Sequence, residues 1–263
     1  MKCLSCAVAL FVPAVLAGAQ PILYAGGTYA QNFNGLGTTG AVTIPGRGPH
    51  AIEGVLGATG VPGWYGANFA GSSLDTEFKA HDGSLAGSAG RGVISFGTTG
   101  SGERALGALP TSNQISSFGA VFTNTTGQTL QEMTITFTGE QWRRGNVPTP
   151  NNLFFGWGLT SSIEFAVTGF AGLNFTSPNT QASPTDVALN GNDPANQANL
   201  TATIFNLNWA AGTDLAIRWR IEDISGQDDG LGIDDVSFSA AVPAPGALAL
   251  LAPAGILLLR RRR

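Results

Sequence analysis

The chain has 263 residues, of which 43% are hydrophobic and only 11% are charged, and it contains 37 glycines. The charged share is under half the roughly 25% of an average soluble protein, and glycine is about twice its usual 7%. This composition excludes a disordered chain, which needs high charge and few aromatic residues, while 15 Phe, 5 Trp and 3 Tyr supply material for one large core.

The first 19 residues have the three parts of a secretory signal peptide. Lys2 supplies the positive charge, the run AVALFVPAVL supplies a short apolar region, and Ala17 and Ala19 form a site that predicts cleavage before Gln20. Both cysteines of the chain lie inside this segment. We therefore expect an exported chain, processed by signal peptidase, without disulfides, thiolate metal sites or cysteine nucleophiles.

Residues 20–241 are predicted to form a single domain. This segment contains eight basic residues and all 17 acidic residues, which gives a net charge of −9. Nucleic-acid binding needs Lys and Arg clustered against phosphates, so we expect no nucleic-acid partner. No repeat of 20 to 50 residues recurs, which argues against a solenoid or a propeller.

Several segments of this domain have patterns that predict β-strands. Met133, Ile135 and Phe137 alternate with threonines, which is the period of a half-buried strand, and residues 215–221 alternate in the same way. Apolar runs short enough for strands lie at 118–122, 153–159, 163–167, 201–207 and 236–238. Turn residues at 124–127 and 225–230 separate consecutive strands, and residues 177–198 form a long polar loop. These patterns predict an all-β fold, a two-sheet antiparallel jelly-roll-like sandwich.

Four stretches of the domain resemble extracellular jelly-roll modules, including galactose-binding-like and carbohydrate-binding modules. They are QNFNGLGTTG (31–40), PGWY (62–65), NTTGQTLQEMTITFTGEQWR (124–143) and RWRIEDISGQDDGLGIDDVSF (218–238). The resemblance implies the sandwich and leaves the ligand open, because one fold hosts many functions.

Signatures of catalysis are absent from the sequence. It contains no G-x-S-x-G, no H-E-x-x-H and no Gly-rich phosphate loop ending in Lys. Glu140, beside Trp142 and Arg143, is the one candidate acid for a two-carboxylate hydrolase, and pairing with an arginine is its more ordinary role. We predict that the chain has no catalytic residues and is not an enzyme.

Two acidic residues near the end of the domain are candidate metal ligands. Asp234 alternates with the apolar residues of the last predicted strand, so it is predicted to face the apolar side, where a carboxylate must be paired or metal-bound. The jelly-roll resemblance implies a structural calcium held near this strand together with groups around Asn34. Asp234, Asp235 and Asn34 are therefore the candidate calcium ligands; the alternative is that Asp234 bonds backbone amides or Arg220, with Asp235 solvated.

Aromatic residues outside the clear strand patterns are candidate sugar-stacking surfaces. Trp64 and Trp142 are flanked by Gly, Pro and polar residues, which is compatible with a surface position, so Trp64, Tyr65 and Trp142 are candidate residues of a sugar platform. A place in the core is the favoured interpretation for each.

The last 22 residues form a three-part segment. It begins with a Pro motif, continues with 14 apolar residues at 246–259, and ends in four arginines. The motif residues are Val242, Pro243, Ala244 and Pro245, followed at the end by Arg260, Arg261, Arg262 and Arg263. Fourteen residues are short of the roughly 20 that cross a bilayer, and the arginines favour the cytoplasmic side.

This C-terminal segment resembles the PEP-CTERM sorting signal of exosortase-bearing bacteria, in a Val-Pro-x-Pro form in which Ala244 replaces the usual Glu. The resemblance implies a hydrophobic C-terminal helix inserted in the membrane before an exosortase-like transpeptidase removes or re-anchors it.

The predicted function is that of an exported, non-enzymatic protein of the cell surface, the extracellular matrix or the outer envelope. The first alternative is a carbohydrate-binding jelly-roll module with structural calcium and an extracellular polysaccharide partner. The second is a secreted glycan hydrolase.

Overall fold

The computed structural model describes residues 20–181 and 186–242. The predicted signal peptide, its cleavage site except for Gln20, and the C-terminal sorting segment beyond Val242 lie outside the described residues. No helix within the described ranges is long and apolar enough to cross a membrane.

The regular secondary structure of the described chain is mostly β-strand, as predicted. The strands are β1 (Ile22–Tyr24), β2 (Thr28–Gln31), β3 (Ala41–Ile44), β4 (His50–Ala51), β5 (Trp64–Ala70), β6 (Thr76–His81), β7 (Gly92–Phe96), β8 (Ala105–Leu109), β9 (Ile115–Asn124), β10 (Leu130–Arg144), β11 (Asn152–Gly158), β12 (Thr168–Gly169), β13 (Phe175–Thr176), β14 (Val187–Ala188), β15 (Gln197–Trp209), β16 (Asp214–Ile221) and β17 (Gly230–Ala241). One short helix, α1 (Gly87–Gly90), and 3₁₀ turns at Val55–Gly57, Ile163–Phe165, Ala171–Leu173 and Pro194–Asn196 connect them.

The strands form two sheets, which confirms the predicted two-layer arrangement. Sheet A has the order β12-β11-β16-β9-β5-β4, with β1 beside β9 and β13 beside β11. Sheet B has the order β14-β10-β17-β8-β7-β6-β3, with β15 beside β10 and β2 beside β17. The pairing is antiparallel except for β1 with β9 and β6 with β7, which are parallel, so the sheets are mixed rather than purely antiparallel.

The core between the sheets is aromatic and centres on Trp219 of β16. The Trp219 ring stacks on those of Trp64 and Phe118, at centroid distances of 6.2 and 6.4 Å. Phe137 and Phe155 meet its ring edge-on at 5.2 and 5.3 Å. Since Phe137 belongs to sheet B and Trp219 to sheet A, these contacts hold the two layers together.

The alternating pattern of residues 133–138 has the predicted orientation. Met133, Ile135 and Phe137 are buried in the core, while Thr134 and Thr136 lie on the opposite face and hydrogen-bond across to threonines of β15. Residues 163–167, by contrast, were predicted to be a strand and are not. The Ser162 hydroxyl accepts from Glu164 N and caps a 3₁₀ turn there, because a local side-chain acceptor competes with strand pairing.

The last strand, β17, contains a β-bulge that changes which of its side chains face the core. Along β10, Thr136 pairs with Ser237 but Thr138 pairs with Asp234, so β17 has one extra residue in this interval. Asp235 lies in the bulge with a φ of 49°, a left-handed conformation that Asp tolerates better than most residues. As a result Ile233 and Val236 both face the core, and Asp234 points to the other side of sheet B.

A truncation at the centre of the core tests this packing. Trp219→Ala is expected to lower the free energy of unfolding by about 3–5 kcal/mol, because it removes a fully buried aromatic and leaves a cavity. The matched control is Phe205→Ala on β15, whose ring is 64% exposed and whose loss should change stability by about 0.5 kcal/mol or less. Urea denaturation measures both; equal losses would contradict the described core.

Candidate functional site

Three carboxylates meet on the outer face of sheet B. Glu103, Glu140 and Asp234 each offer an oxygen, and these oxygens all lie within 4.8 Å of one another. Glu140 is only 2% exposed and Asp234 only 6%, and Glu103 is half-buried. We refer to these three residues as the carboxylate cluster.

The strand register explains how the cluster forms. Thr138 of β10 is opposite Asp234 of β17, and Glu140 is opposite Gly232, so Glu140 and Asp234 are diagonal neighbours on one face. Glu103 ends the loop before β8, which pairs with β17 on its other side. Because β17 lies between β10 and β8, three carboxylates that are far apart in sequence converge over it.

A small group of apolar side chains packs on the outer face of sheet B. Trp142 follows Glu140 on the same side of β10, is fully buried, and stacks on Phe96 with parallel rings 6.0 Å apart. The Trp142 indole N–H donates to Glu140 Oε2 at 2.8 Å. Gly191 lies directly against the indole, where a Cβ would come within 2.3 Å of Nε1. The polar loop containing Gly191 therefore closes over the cluster.

The cluster has no basic partner. None of the ion pairs among the described residues involves Glu103, Glu140 or Asp234. Asp234 Oδ1 and Glu103 Oε1 are buried without a hydrogen-bond donor, while the side-chain amide of Asn192 donates to the second oxygen of Glu103. Burial, followed by the neighbouring negative charges, holds the pKa values of Glu140 and Asp234 well above the ordinary carboxyl range.

The donor set fits a divalent cation that prefers oxygen. Calcium takes six to eight oxygens at 2.3–2.6 Å, so ligands on opposite sides of one ion lie up to roughly 5 Å apart. The 4.8 Å limit within the cluster matches that spacing, and a cation would satisfy the buried oxygens that lack a donor.

The predicted metal ligands are only partly brought together. Asp234 belongs to the cluster, but it faces away from the main core, so the prediction that it turns to the apolar side is wrong because the bulge at Asp235 breaks the alternation. Asp235 itself is exposed and outside the cluster. Asn34 accepts a hydrogen bond from Arg104 N at 3.0 Å, so it holds the loop that carries Glu103 instead of contributing to the cluster.

Glu103 was missed by the sequence reasoning. It lies in a Gly- and Ser-rich loop without periodicity, and only the pairing of β8 with β17 brings it near Asp234. Glu140 was identified as a candidate acid, and its partner is the Trp142 indole, not an arginine.

The predicted sugar platform is not formed. Trp64 faces the core, where its indole N–H donates to the Tyr29 hydroxyl at 2.8 Å, and Trp142 is fully buried beside Glu140. Neither ring face is open to a sugar, so for both tryptophans the favoured interpretation, a place in the packed interior, is confirmed and the sugar platform is not. Tyr65 lies on the opposite face of β5 and is half-buried.

Two further acidic residues, Asp223 and Asp228, lie in the turn between β16 and β17. Asp228 Oδ1 accepts from Ile224 N and from the Asn151 side chain, both at 2.9 Å, so it shapes the turn. Asp223 and Asp228 line a cleft of about 560 Å³. Burial, with a smaller contribution from Asp223, raises the pKa of Asp228 to about 7.

The raised pKa of Asp228 predicts a pH-dependent stability. The folded state binds this proton more tightly than the unfolded state, so the contribution is complete below about pH 4 and is lost as the pH rises through 7. Asp228→Asn keeps an acceptor for Ile224 N and should flatten the fall in unfolding free energy by up to about 1.4 kcal/mol per pH unit. Urea denaturation between pH 5 and 8 measures the slopes; identical slopes in the two proteins would refute the assignment.

Comparison with known proteins yields structural similarity only. No family model matches the chain, and no curated protein matches it. Among solved structures, a xylan-binding module CBM15 is 14% identical with a TM-score of 0.35 and covers 78% of this chain and 99% of its own. The K3 cleaved adhesin domain of Lys-gingipain from Porphyromonas gingivalis w83 is 11% identical, with a TM-score of 0.35 and coverage of 52% and 74%. TmCBM61 in complex with β-1,4-galactotriose is 13% identical, with a TM-score of 0.28 and coverage of 54% and 74%. Likeness at this level extends to no site or ligand.

Proposed function

We propose that the chain is an exported, non-enzymatic surface or matrix protein whose β-sandwich is stabilised by a calcium ion in the carboxylate cluster. The observation that carries the proposal is the convergence of Glu103, Glu140 and Asp234, which form no ion pair among the described residues and of which two have a buried oxygen without a hydrogen-bond donor. Buried carboxylates that keep their charge without a counter-charge destabilise a fold, and a bound cation would stabilise the charged form of this cluster.

The position of the ion explains how it would act. The three ligands come from β10, from β17 and from the loop before β8, so one ion would link three neighbouring segments of sheet B. A ligand that binds only the folded state adds stability of about 2.7 kcal/mol at 100 times its dissociation constant. A cysteine-free extracellular domain gains from the ion the cross-linking that it lacks from disulfides.

Burial argues against the hydrolase alternative. A two-carboxylate hydrolase places its acid and its second carboxylate on either side of an accessible glycosidic bond. Glu140 and Asp234 are almost fully buried, and the Trp142 indole that bonds Glu140 is itself covered by Gly191, so a glycan has no approach to the pair. The same burial that suits a structural ion excludes a substrate.

The two terminal segments support export and sorting. The signal peptide pattern of residues 1–19 supports secretion, and the segment 242–263 supports handling by an exosortase-like transpeptidase with passage through the membrane. Carbohydrate binding, the first alternative, requires a surface other than Trp64 and Trp142.

Cation binding is tested by thermal melting of the full chain in mild detergent. Excess Ca²⁺ is expected to raise Tm by about 5–10 °C over chelator, as the stability gain above implies for a domain of this size. Asp234→Asn should abolish the shift, and in chelator it should melt at or above the wild type because one of three unpaired carboxylates is gone.

Asp235→Asn is the matched control. It removes the same charge one residue away, at an exposed position where Asn tolerates the positive φ. It should retain the calcium shift. A wild-type protein with the same Tm in calcium and in chelator would overturn the proposal.

Processing is tested by the mass of the protein recovered from its native host. We expect an N-terminus at Gln20 and, in cells with the sorting enzyme, a C-terminus near residues 242–245. Replacing Pro243 and Pro245 by Ala should leave the C-terminal segment attached. A mature protein that retains residues 1–19 would contradict export.

A further inference from the structure

Two neighbouring arginines lie on the outer face of sheet A. Arg218 and Arg220 alternate on the same side of β16, and the cross-strand partners on β9 are the small residues Gly119 and Ser117. These small partners leave room for the arginines to extend over β9 toward Phe69 of β5. Both guanidinium carbons lie 5.0 Å from the centre of the Phe69 ring, and that of Arg220 lies 5.5 Å from the Phe154 ring.

An open cleft of about 400 Å³ adjoins this pair, and we call it the arginine cleft. Its other walls come from Phe154 of β11 and from the segment around β12, which contributes Phe170 and Asn174. Its volume lies within the range of small-molecule sites. The lining combines flat apolar rings with the two cations.

The two cations lack carboxylate partners. Elsewhere in the described chain, Arg91 pairs with Glu77 and Arg143 pairs with Asp186. The Arg220 side chain makes no hydrogen bond or ion pair with the described residues and has only its ring contacts. What distinguishes Arg218 and Arg220 is that the two unpaired cations lie side by side over the same aromatic ring.

Arg218 is 7% exposed, and one of its nitrogens is unsatisfied. Its Nη1 donates to the Glu164 carbonyl at 3.1 Å, while its Nε is buried without an acceptor. The Glu164 carboxylate is close enough to favour the charged form but forms no ion pair. Burial, and then the charge of Arg220, lowers the pKa of Arg218 to about 10. An anion beside both guanidinium groups would relieve this repulsion.

The remaining polar group in the cleft is also a donor. Asn174 uses its Oδ1 to accept from Phe155 N at 2.9 Å, which leaves its NH₂ group to donate. Arg218, Arg220 and Asn174 thus present donors only, so the cleft fits an acceptor-rich ligand. Guanidinium groups match carboxylates in geometry, and the apolar rings match one face of a pyranose.

We propose that the arginine cleft binds a carboxylate-bearing sugar chain, with the uronate carboxyl on Arg218 and Arg220 and a sugar ring against Phe154 and Phe170. The site is distinct from the carboxylate cluster, which lies on the outer face of the other sheet. The protein would therefore bind acidic polysaccharide outside the cell independently of its cation.

Isothermal titration of the full chain in mild detergent tests the proposal, with the hexamer of galacturonic acid as probe. The buffer contains no divalent cation, because the hexamer itself binds calcium, and near-UV circular dichroism checks that the protein is folded. We expect saturable binding of the hexamer and at least tenfold weaker binding of its full methyl ester, which keeps the rings and removes the charge.

Arg220→Gln should also weaken binding of the hexamer at least tenfold. Because Arg220 is half-exposed and its side chain makes no hydrogen bond with the described residues, this variant should fold normally. The matched control is Arg91→Gln, which removes the same charge just before β7 of sheet B, leaves Lys79 paired with Glu77, and should bind as the wild type does.

Three outcomes would overturn the proposal: no binding of the hexamer by the folded protein, equal binding of the acid and the ester, or equal loss in both variants. Inorganic sulfate that displaces the hexamer at equal concentration would show a simple anion site and would contradict the role of the sugar ring. The calcium proposal is tested by a different measurement, the shift in Tm, so one of the two proposals can fail while the other stands.

Discussion

The β-bulge at Asp235 is the constraint on which the rest of sheet B depends. It lets Ile233 and Val236 both face the core, although an odd spacing separates them, and it directs Asp234 to the other side. Because β17 pairs with β10, β8 and β2, the bulge also determines which side chains of these neighbouring strands share a face of sheet B with Asp234. An acidic pair of residues in a central strand is compatible with the sandwich only because one backbone position departs from the pleat.

The outer faces of the two sheets are chemically opposite. Sheet B carries the carboxylate cluster under Trp142, while sheet A carries Arg218 and Arg220 beside open aromatic rings. On each face the like charges form no ion pair among the described residues, so each face fits a ligand of opposite charge. The two proposals therefore rest on one electrostatic argument applied to two separate surfaces: a structural cation on one side and an acidic glycan on the other.

The fold class could be predicted because alternation directly reports burial on a sheet. Met133, Ile135 and Phe137 face the core as their spacing indicates, since β10 is regular there. The same reasoning failed for Asp234, where a bulge interrupts the period, and for residues 163–167, where the Ser162 cap favours a turn. For Trp64 and Trp142 the flanking Gly and Pro residues left a surface position open, because such residues reflect the local backbone conformation and not the side chains that pack over it.

By itself, the sequence determined the acidity of residues 20–241, their lack of cysteine and their β-architecture, and it predicts export and sorting from the two terminal segments. These properties depend on composition and on short periodic patterns, which are local. Only the tertiary structure decided which charges meet. The pairing of β8 with β17 brings Glu103 near Asp234, and Arg218 extends across β9 to Phe69. No spacing in the sequence predicts either contact. Strand order sets such contacts, because residues distant along the chain become neighbours only after the sheets have formed.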